Sequence, residues 1–228
     1  MATAKTPPKG KHRIFIVDDH PIFRQGLAQL INQESDLCVC GEADDYQGAL
    51  RAVAELNPDM VIVDITLKDM SGIDLIKEVR KLNRGIIMLV ISMHDESLYA
   101  ERALRAGARG YVMKQEASES IVQAIRQVRI GGIYVSPRMT EQMLSRFVEG
   151  PLDAVESPLK ALTDREMEVF HLIGEGLGIS EIGLRLHLSV KTIGTYRERI
   201  KEKLNLRNST ELLRHAFNWV ENEREAKQ

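Results

Sequence analysis

The first half of the chain alternates short apolar runs with amphipathic segments, and this pattern restricts the fold more than any other feature of the sequence. The apolar runs are rich in branched residues and are short, which is typical of strands buried on both faces. The runs lie at residues 12–17, 37–40, 60–63, 86–91 and 109–113, and the amphipathic segments at 22–32, 46–56, 75–82, 99–106 and 118–129. We therefore predict an α/β fold, a (βα)5 doubly wound parallel sheet with helices packed on both faces.

The second half of the chain is helical in pattern, and a looser segment separates it from the first half. Gly131-Gly132 and Ser157-Pro158 bound this segment, which holds one short amphipathic piece at residues 138–147. Beyond it, Thr163 followed by Glu166 indicates a capping box that opens the first of four helices. We predict an α/β domain at residues 11–131, a linker at 132–158 and a small all-α four-helix domain at 159–228.

Charge and apolar content exclude some classes of protein. The net charge is only −2, but residues 189–208 contain six basic and two acidic side chains. That cluster suits a helix that binds phosphates, although a solvated helix face has the same composition. No apolar run approaches the ~20 residues that cross a bilayer, and residues 1–11 lack the apolar core of a signal peptide. We therefore expect a cytoplasmic protein without a membrane partner.

Polar residues follow four of the five predicted strands. Asp18 and Asp19 close the first strand, Asp64 the third, Ser92 the fourth and Lys114 the fifth. In a doubly wound sheet, functional groups collect beyond the carboxyl ends of the strands, so these side chains are expected to share one rim. Carboxylates bind Mg²⁺, and Mg²⁺ together with an ammonium group would let Asp64 attack a phosphoryl group. Taken singly, an aspartate that merely caps the next helix is an equally good interpretation.

With these residues, the segment 11–131 resembles the receiver domains of bacterial two-component response regulators. The resemblance implies that Asp64 accepts a phosphoryl group from the histidine of a sensor kinase. It also implies a Mg²⁺ cofactor bound by Asp19 and Asp64, with Asp18 acting directly or through water and the main-chain carbonyl of Thr66 as a further ligand.

The same resemblance assigns roles to three residues near the predicted phosphate. Ser92 and Lys114 would contact the phosphoryl oxygens, and Tyr111 matches the family's aromatic switch position. Sheet packing is the alternative for Tyr111. As a residue at a strand end, Lys114 is expected to be exposed.

Four short motifs characterise the helical half: LTDRE at 162–166, ISEI at 179–182, LSVKTI at 188–193 and Lys203-Leu204. Together they resemble the LuxR-type helix-turn-helix domain of NarL and FixJ regulators over residues 159–224. The resemblance implies that this domain binds double-stranded promoter DNA.

The predicted recognition helix divides into an apolar face and a polar face. Val190, Ile193, Ile200 and Leu204 fall at helical spacing and should anchor the helix on its domain. The residues expected to contact DNA are Lys191, Thr192, Gly194, Thr195, Arg197, Glu198, Arg199, Lys201 and Lys203. Thr195 and Glu198 share an outward stripe suited to base edges, and Arg197, Arg199 and Lys203 suit phosphates.

Two other functions share parts of this pattern. A Mg²⁺-dependent phosphohydrolase of the haloacid dehalogenase kind needs an acid two residues after the nucleophile, where this chain has Thr66. A regulator that is not phosphorylated should have lost pocket groups, and none is missing. We therefore predict a response regulator and transcription factor, not an enzyme, in which phosphorylation shifts the conformation or promotes homodimerisation.

The last predicted helix supplies a candidate dimer surface. Its apolar residues are Leu212, Leu213, Ala216, Phe217 and Val220. Packing within the domain would produce much of the same pattern, so both interpretations remain open at this point.

Overall fold

The computed structural model describes residues 10–67, 70–116, 118–148 and 158–225. The chain divides into two compact units, residues 1–150 and 151–228. The described part of the first unit contains a five-stranded sheet with the order β2-β1-β3-β4-β5, in which all neighbouring strands are parallel. The predicted doubly wound sheet is confirmed.

The elements of this sheet follow the predicted alternation. The strands are β1 (His12–Val17), β2 (Leu37–Ala43), β3 (Met60–Val63), β4 (Ile87–Ser92) and β5 (Gly110–Met113). The helices are α1 (Pro21–Gln33), α2 (Tyr46–Leu56), α3 (Gly72–Leu82), α4 (Glu96–Ala106) and α5 (Ser118–Arg129). Helices α3 and α4 begin three residues before their predicted starts, because Ser71 and Asp95 accept hydrogen bonds from the first turns.

The sheet is buried on both faces. Alternate residues of the strands, such as Ile14, Ile62 and Leu89, pack against α1 and α5 in one apolar cluster. The residues between them point to the other face, where α2, α3 and α4 follow one another in contact. This double burial explains why β3 and the body of β4 are apolar, and it leaves polar chemistry to the strand ends.

The segment after α5 remains in contact with the sheet unit. Tyr134 forms a parallel bridge with Gly110, and the backbone N–H of Ser136 donates to Glu96 (2.7 Å). Helix α6 (Pro137–Val148) follows and contains the amphipathic piece predicted within the linker.

The second unit is wholly helical in its described part. A short 3-10 helix (Pro158–Ala161) precedes α7 (Asp164–Gly174), α8 (Ile179–Arg185), α9 (Val190–Lys203) and α10 (Ser209–Glu225). The predicted capping box is confirmed, since Thr163 and Glu166 bond each other's backbone N–H groups. Helices α7 and α10 approach so closely that a Cβ on Gly174 would lie 2.5 Å from the carbonyl oxygen of Ala216.

The apolar face of α9 is narrower than predicted. Ile193 and Ile200 are fully buried, but Val190 is 50% exposed and Leu204 is half-buried. Val190 is the first residue of the helix, so its side chain lies at the edge of the unit and not over its core. No helix among the described residues is long and apolar enough to span a membrane.

Candidate functional site

Two strand ends position the carboxylates. The backbone N–H of Asp64 donates to Val17 (2.8 Å), and that of Asp18 donates to Ala43 (3.1 Å), so each residue continues the hydrogen bonding of the sheet. Gly72 lies against this turn, and a Cβ there would be only 1.9 Å from the carbonyl oxygen of Asp64. The start of α3 can therefore approach Asp64 only because residue 72 has no side chain.

Lys114 joins the carboxylates. Its Nζ lies 2.6 Å from Oδ2 of Asp64 and 2.7 Å from Oδ2 of Asp18. The ammonium also lies 4.6 Å from the ring centroid of Phe23 in α1. The side chain of Lys114 is only 3% exposed, so the expectation of an exposed lysine is wrong. The strand end is covered by α1 and the neighbouring carboxylates, which the position in a strand does not reveal.

Burial and close charges shift the pKa values of this group. Burial raises the pKa of Asp64 and the Asp18 carboxylate raises it further, while Lys114 partly offsets both effects. Burial lowers the pKa of Lys114, but Asp64 and Asp18 outweigh burial, so that the net pKa is raised. The ammonium therefore stays charged and holds the two acidic groups in place.

The cluster can hold a metal ion. Asp18, Asp19, His20 and Asp64 each offer one ligand atom, and these atoms all lie within 4.8 Å of one another. Oδ1 of Asp64 is buried and has no hydrogen-bond partner among the described residues. A buried carboxylate oxygen without a donor needs a cation or another electrophile, so these residues fit a hard, oxygen-binding ion.

A second group of side chains surrounds His94. Its backbone N–H donates to Oγ of Ser92 (3.3 Å), and its carbonyl oxygen accepts from the Tyr111 hydroxyl (2.8 Å). Nε2 of His94 lies 2.7 Å from Oγ1 of Thr66. Ser92 and Tyr111 are both buried, so one residue connects the ends of β4 and β5 with the loop after β3.

Three residues of this site were not predicted from the sequence. His20 follows the acidic pair directly, and its Nδ1 lies 2.7 Å from Oδ1 of Asp19. His94 lies two residues after Ser92, so proximity along the chain was a signal for both histidines. Phe23 carried no such signal, because its contact with Lys114 joins the first helix to the last strand.

Several residues on the polar face of α9 are exposed to solvent. Lys191, Thr195, Glu198 and Arg199 are exposed, and a Cβ on Gly194 would meet no atom within 4 Å. The Thr195 hydroxyl donates to the carbonyl oxygen of Lys191 (3.1 Å).

The basic side chains of α9 fall into two groups. Lys201 pairs with Glu198 (2.8 Å), and Lys203 pairs with the buried Glu166 of α7 (2.6 Å). Lys191, Arg197 and Arg199 have no ion-pair partner among the residues described. The three unpaired cations are therefore the ones whose charge is available to an anion outside the protein.

The N-terminus of α9 is fixed by its own cap. Oγ of Ser189 accepts from the backbone N–H of Thr192 (3.1 Å) and lies 2.8 Å from the Thr192 hydroxyl. Thr192 therefore contributes to the helix start as well as to the surface predicted to contact DNA.

Two family models match the chain. Residues 14–126 match the response regulator receiver domain, and residues 160–216 match the bacterial regulatory proteins of the luxR family. The oxygen regulatory protein NreC of Staphylococcus carnosus is 32% identical, with 90% of this chain and 96% of that protein covered. The transcriptional regulatory protein UhpA of Escherichia coli K12 is 33% identical, with 90% and 97% covered.

Solved structures agree with these matches. A LuxR-family two-component response regulator from Aurantimonas is 36% identical with a TM-score of 0.57, covering 60% of this chain and 99% of that one. The two-component response regulator RcsB in a DNA complex is 25% identical with a TM-score of 0.60, covering 90% and 98%. Neither matched domain family is a family of enzymes.

Proposed function

The chain belongs to the NarL/FixJ family of response regulators, with a receiver domain before a LuxR-type DNA-binding domain, and we propose that phosphorylation of Asp64 controls it. One observation carries the proposal. Oδ2 of Asp64 is held by Lys114, while Oδ1 is buried without a partner beside two further aspartates. A carboxylate oriented in this way has one oxygen ready to attack a phosphoryl group.

The pocket suits Mg²⁺ as cofactor. Asp18, Asp19 and Asp64 would hold the ion, with the main-chain carbonyl of Thr66 as a further ligand. The ion would offset the negative charge of the phosphoryl oxygens. Oδ1 of Asp64 then forms the new P–O bond as the P–N bond of a phosphohistidine in the sensor kinase breaks, and the imidazole leaves with the electron pair.

Three groups next to Asp64 would respond to the new charge. Lys114 already bonds Oδ2 and can pair with a phosphoryl oxygen instead. The Ser92 hydroxyl is connected through His94 to the hydroxyl of Tyr111, so movement of Ser92 toward phosphate would also disturb the tyrosine contact. We propose this set as the switch that shifts the population between two receiver conformations.

The output is binding to promoter DNA through α9. We propose that Thr195 and Glu198 read base edges beside Gly194 and Thr192, and that Lys191, Arg197 and Arg199 hold phosphates. Lys201 and Lys203 belong to the same proposed surface, although both carry ion pairs within the unit. We also propose that the protein acts in the cytoplasm, where bacterial promoter DNA is located. We propose that the receiver domain spans residues 11–131, the linker residues 132–158 and the DNA-binding domain residues 159–228.

We further propose that the active protein is a homodimer formed through α10. Leu212, Ala216 and Val220 are buried within the unit, whereas Leu213 and Phe217 are 48% and 51% exposed. Two exposed apolar side chains four residues apart lie on one helix face and suit a second copy of the chain. A dimer matches DNA sites that contain two half-sites.

The test is phosphorylation by acetyl phosphate with Mg²⁺, read by intact mass. Wild type should gain one phosphoryl group and Asp64→Asn none, while Mg²⁺ removal should abolish the gain. Asp59→Asn is the matched control, because Asp59 lies at the opposite end of β3 and should not affect the reaction. A full phosphoryl gain by Asp64→Asn would refute the assignment.

A further inference from the structure

A cavity of about 440 Å³ opens at the amino-terminal end of the sheet, away from Asp64. Gly85 and Ile86 before β4, Arg109 before β5 and the C-terminal turns of α3, α4 and α5 line it. Asp64, Ser92 and Lys114 lie at or beyond the other ends of these parallel strands. The cavity is therefore separate from the proposed phosphorylation site.

Four arginines line the cavity: Arg80, Arg84, Arg109 and Arg129. Arg129 pairs with Asp36 (2.6 Å). The guanidinium groups of the other three have no ion-pair or hydrogen-bond partner among the described residues. The lining includes no aspartate or glutamate.

Helix C-termini supply the main competing explanation for these arginines. Arg80 lies in the last turn of α3 and Arg129 in that of α5, where cations interact favourably with the helix dipole. Three helix ends contribute only roughly half a negative charge each, and Asp36 contributes one more. The four guanidinium groups exceed this total, so a positive excess remains in the cavity. Arg84 and Arg109 lie outside helices, so dipole stabilisation does not explain them.

Arg80 is exposed to solvent, but its side chain also lies against the end of α4. A Cβ on Gly107, which has a φ of +123°, would lie 2.6 Å from both Cδ and Nη1 of Arg80. The absence of a side chain at residue 107 thus lets this guanidinium lie against the end of α4. A guanidinium positioned in this way loses less conformational freedom when it binds an anion.

The rest of the lining is apolar. Ile133 is 53% exposed, and Ile87 and Leu104 are half-buried, so these side chains present apolar surface to the cavity. The volume lies in the range of cavities that hold small organic ligands, about 300 to 1,000 Å³. An inorganic anion alone would use the charge but leave this apolar surface in water.

We propose that this cavity binds a small phosphorylated ligand with a planar, partly apolar body, such as a nucleotide. Guanidinium groups bind phosphate through two parallel hydrogen bonds and also stack on planar rings. The accessible aliphatic side chains of the lining would contact the ring system.

Binding is tested by calorimetry on the full-length protein in EDTA. ADP is the probe, at concentrations up to about 1 mM. EDTA removes divalent cations, so that nucleotide cannot bind through a metal at Asp64. We expect ADP to bind, and adenosine and pyrophosphate each to bind more weakly. Absence of ADP binding, or equal binding of either fragment, would overturn the proposal.

Location is tested with the double variant Arg84→Gln/Arg109→Gln. It should weaken ADP binding by about tenfold or more, because two charged contacts are lost. Arg51→Gln, an exposed arginine on α2 outside the cavity, is the matched control and should leave binding unchanged. Equal affinity of the double variant and wild type would refute this site.

The amide NMR signals of three glycines give an independent readout. Gly85, Gly107 and Gly131 line the cavity, and their signals should move on ADP addition. Gly48 in α2 and Gly194 in α9 should not respond. A response confined to residues around Asp64 would place the ligand elsewhere and contradict the proposal.

Discussion

Lys114 forms ion pairs with two buried carboxylates at once, because its ammonium lies within 2.7 Å of both Asp18 and Asp64. Without this cation, two acidic groups would remain close together and shielded from water, an arrangement that is costly for a folded protein. Mg²⁺ would occupy the same acidic group. Lys114 and the metal ion would therefore both reduce the repulsion between these carboxylates. Loss of one should make the stability of the fold depend more strongly on the other.

The first prediction concerns Lys114→Met, which keeps most of the length of the side chain and removes its charge. In EDTA it should lower the free energy of unfolding by about 3 kcal/mol, the order observed when one partner of a buried ion pair is lost. Added Mg²⁺ should stabilise the variant more than wild type. Urea unfolding with and without MgCl₂ measures both effects. An equal gain from Mg²⁺ in the two proteins would show that the lysine and the metal act independently.

At the scale of elements, the position of α9 depends on a contact with α7. Oε2 of Glu166 accepts from the backbone N–H of Thr163 (2.8 Å) and from Nζ of Lys203 (2.6 Å). Burial acts against the charged carboxylate, but Lys203 and Thr163 outweigh it, so the pKa of Glu166 lies below its ordinary value of 4.5. One buried carboxylate thus caps α7 and holds the end of the proposed recognition helix.

The second prediction concerns the acid sensitivity of this contact. A lowered pKa in the folded state means that Glu166 stabilises the unit above pH 4.5, and that this stability is lost as the pH falls through the folded-state pKa. Glu166→Gln should cost about 1 to 3 kcal/mol at neutral pH and reduce the acid-induced loss. Fluorescence of Trp219, the only tryptophan, reports unfolding of this unit.

The control for this experiment is Glu181→Gln. Glu181 accepts from the backbone N–H of Gly178 at the start of α8, but has no lysine partner among the described residues. This variant should keep the acid-induced loss of stability. If Glu166→Gln and Glu181→Gln showed the same pH dependence of unfolding, the contact between Glu166 and Lys203 would not cause the acid-induced loss of stability.

The third prediction separates base reading from phosphate binding on α9. Replacement of Glu198 by Ala should change the preference among single-base operator variants by ~1 to 3 kcal/mol at one base pair. Arg199→Ala should weaken binding to all variants alike and reduce the salt dependence. Binding is measured over the operator panel at two salt concentrations. A uniform effect of Glu198→Ala would mean that Glu198 reads no base and serves its pair with Lys201.

For the whole molecule, the proposed output requires two copies of the chain on DNA. The fourth prediction is that Phe217→Glu prevents this assembly, because it places a charge on the exposed apolar face of α10. Operator affinity of the phosphorylated protein should fall by about tenfold or more, while phosphorylation and folding are retained. Sedimentation measures dimerisation, and an operator-binding assay measures the affinity for DNA.

Ile130→Glu provides the matched control, since Ile130 is 82% exposed on the first unit. It should leave sedimentation and DNA binding unchanged. Dimerisation by phosphorylated Phe217→Glu at wild-type concentrations would exclude α10 as the interface.

The sequence by itself determined the fold and the main site of this protein. Five buried strands separated by amphipathic helices permit few arrangements, and a parallel sheet brings its strand ends to one edge. Asp18, Asp64 and Lys114 were therefore expected together although the chain separates them widely. Short motifs were equally informative where the two interacting residues are close in sequence, as in the capping box formed by Thr163 and Glu166.

Only the tertiary structure decided which surfaces are covered. Helical spacing places Leu212, Leu213 and Phe217 alike among apolar positions, but packing against α7 buries the first and leaves the other two exposed. The burial of Lys114 beneath Phe23 and the arginine-lined cavity both arise where elements distant in sequence meet. Periodicity reports the pattern along one element, whereas burial and charge at a site depend on what the neighbouring elements place against it.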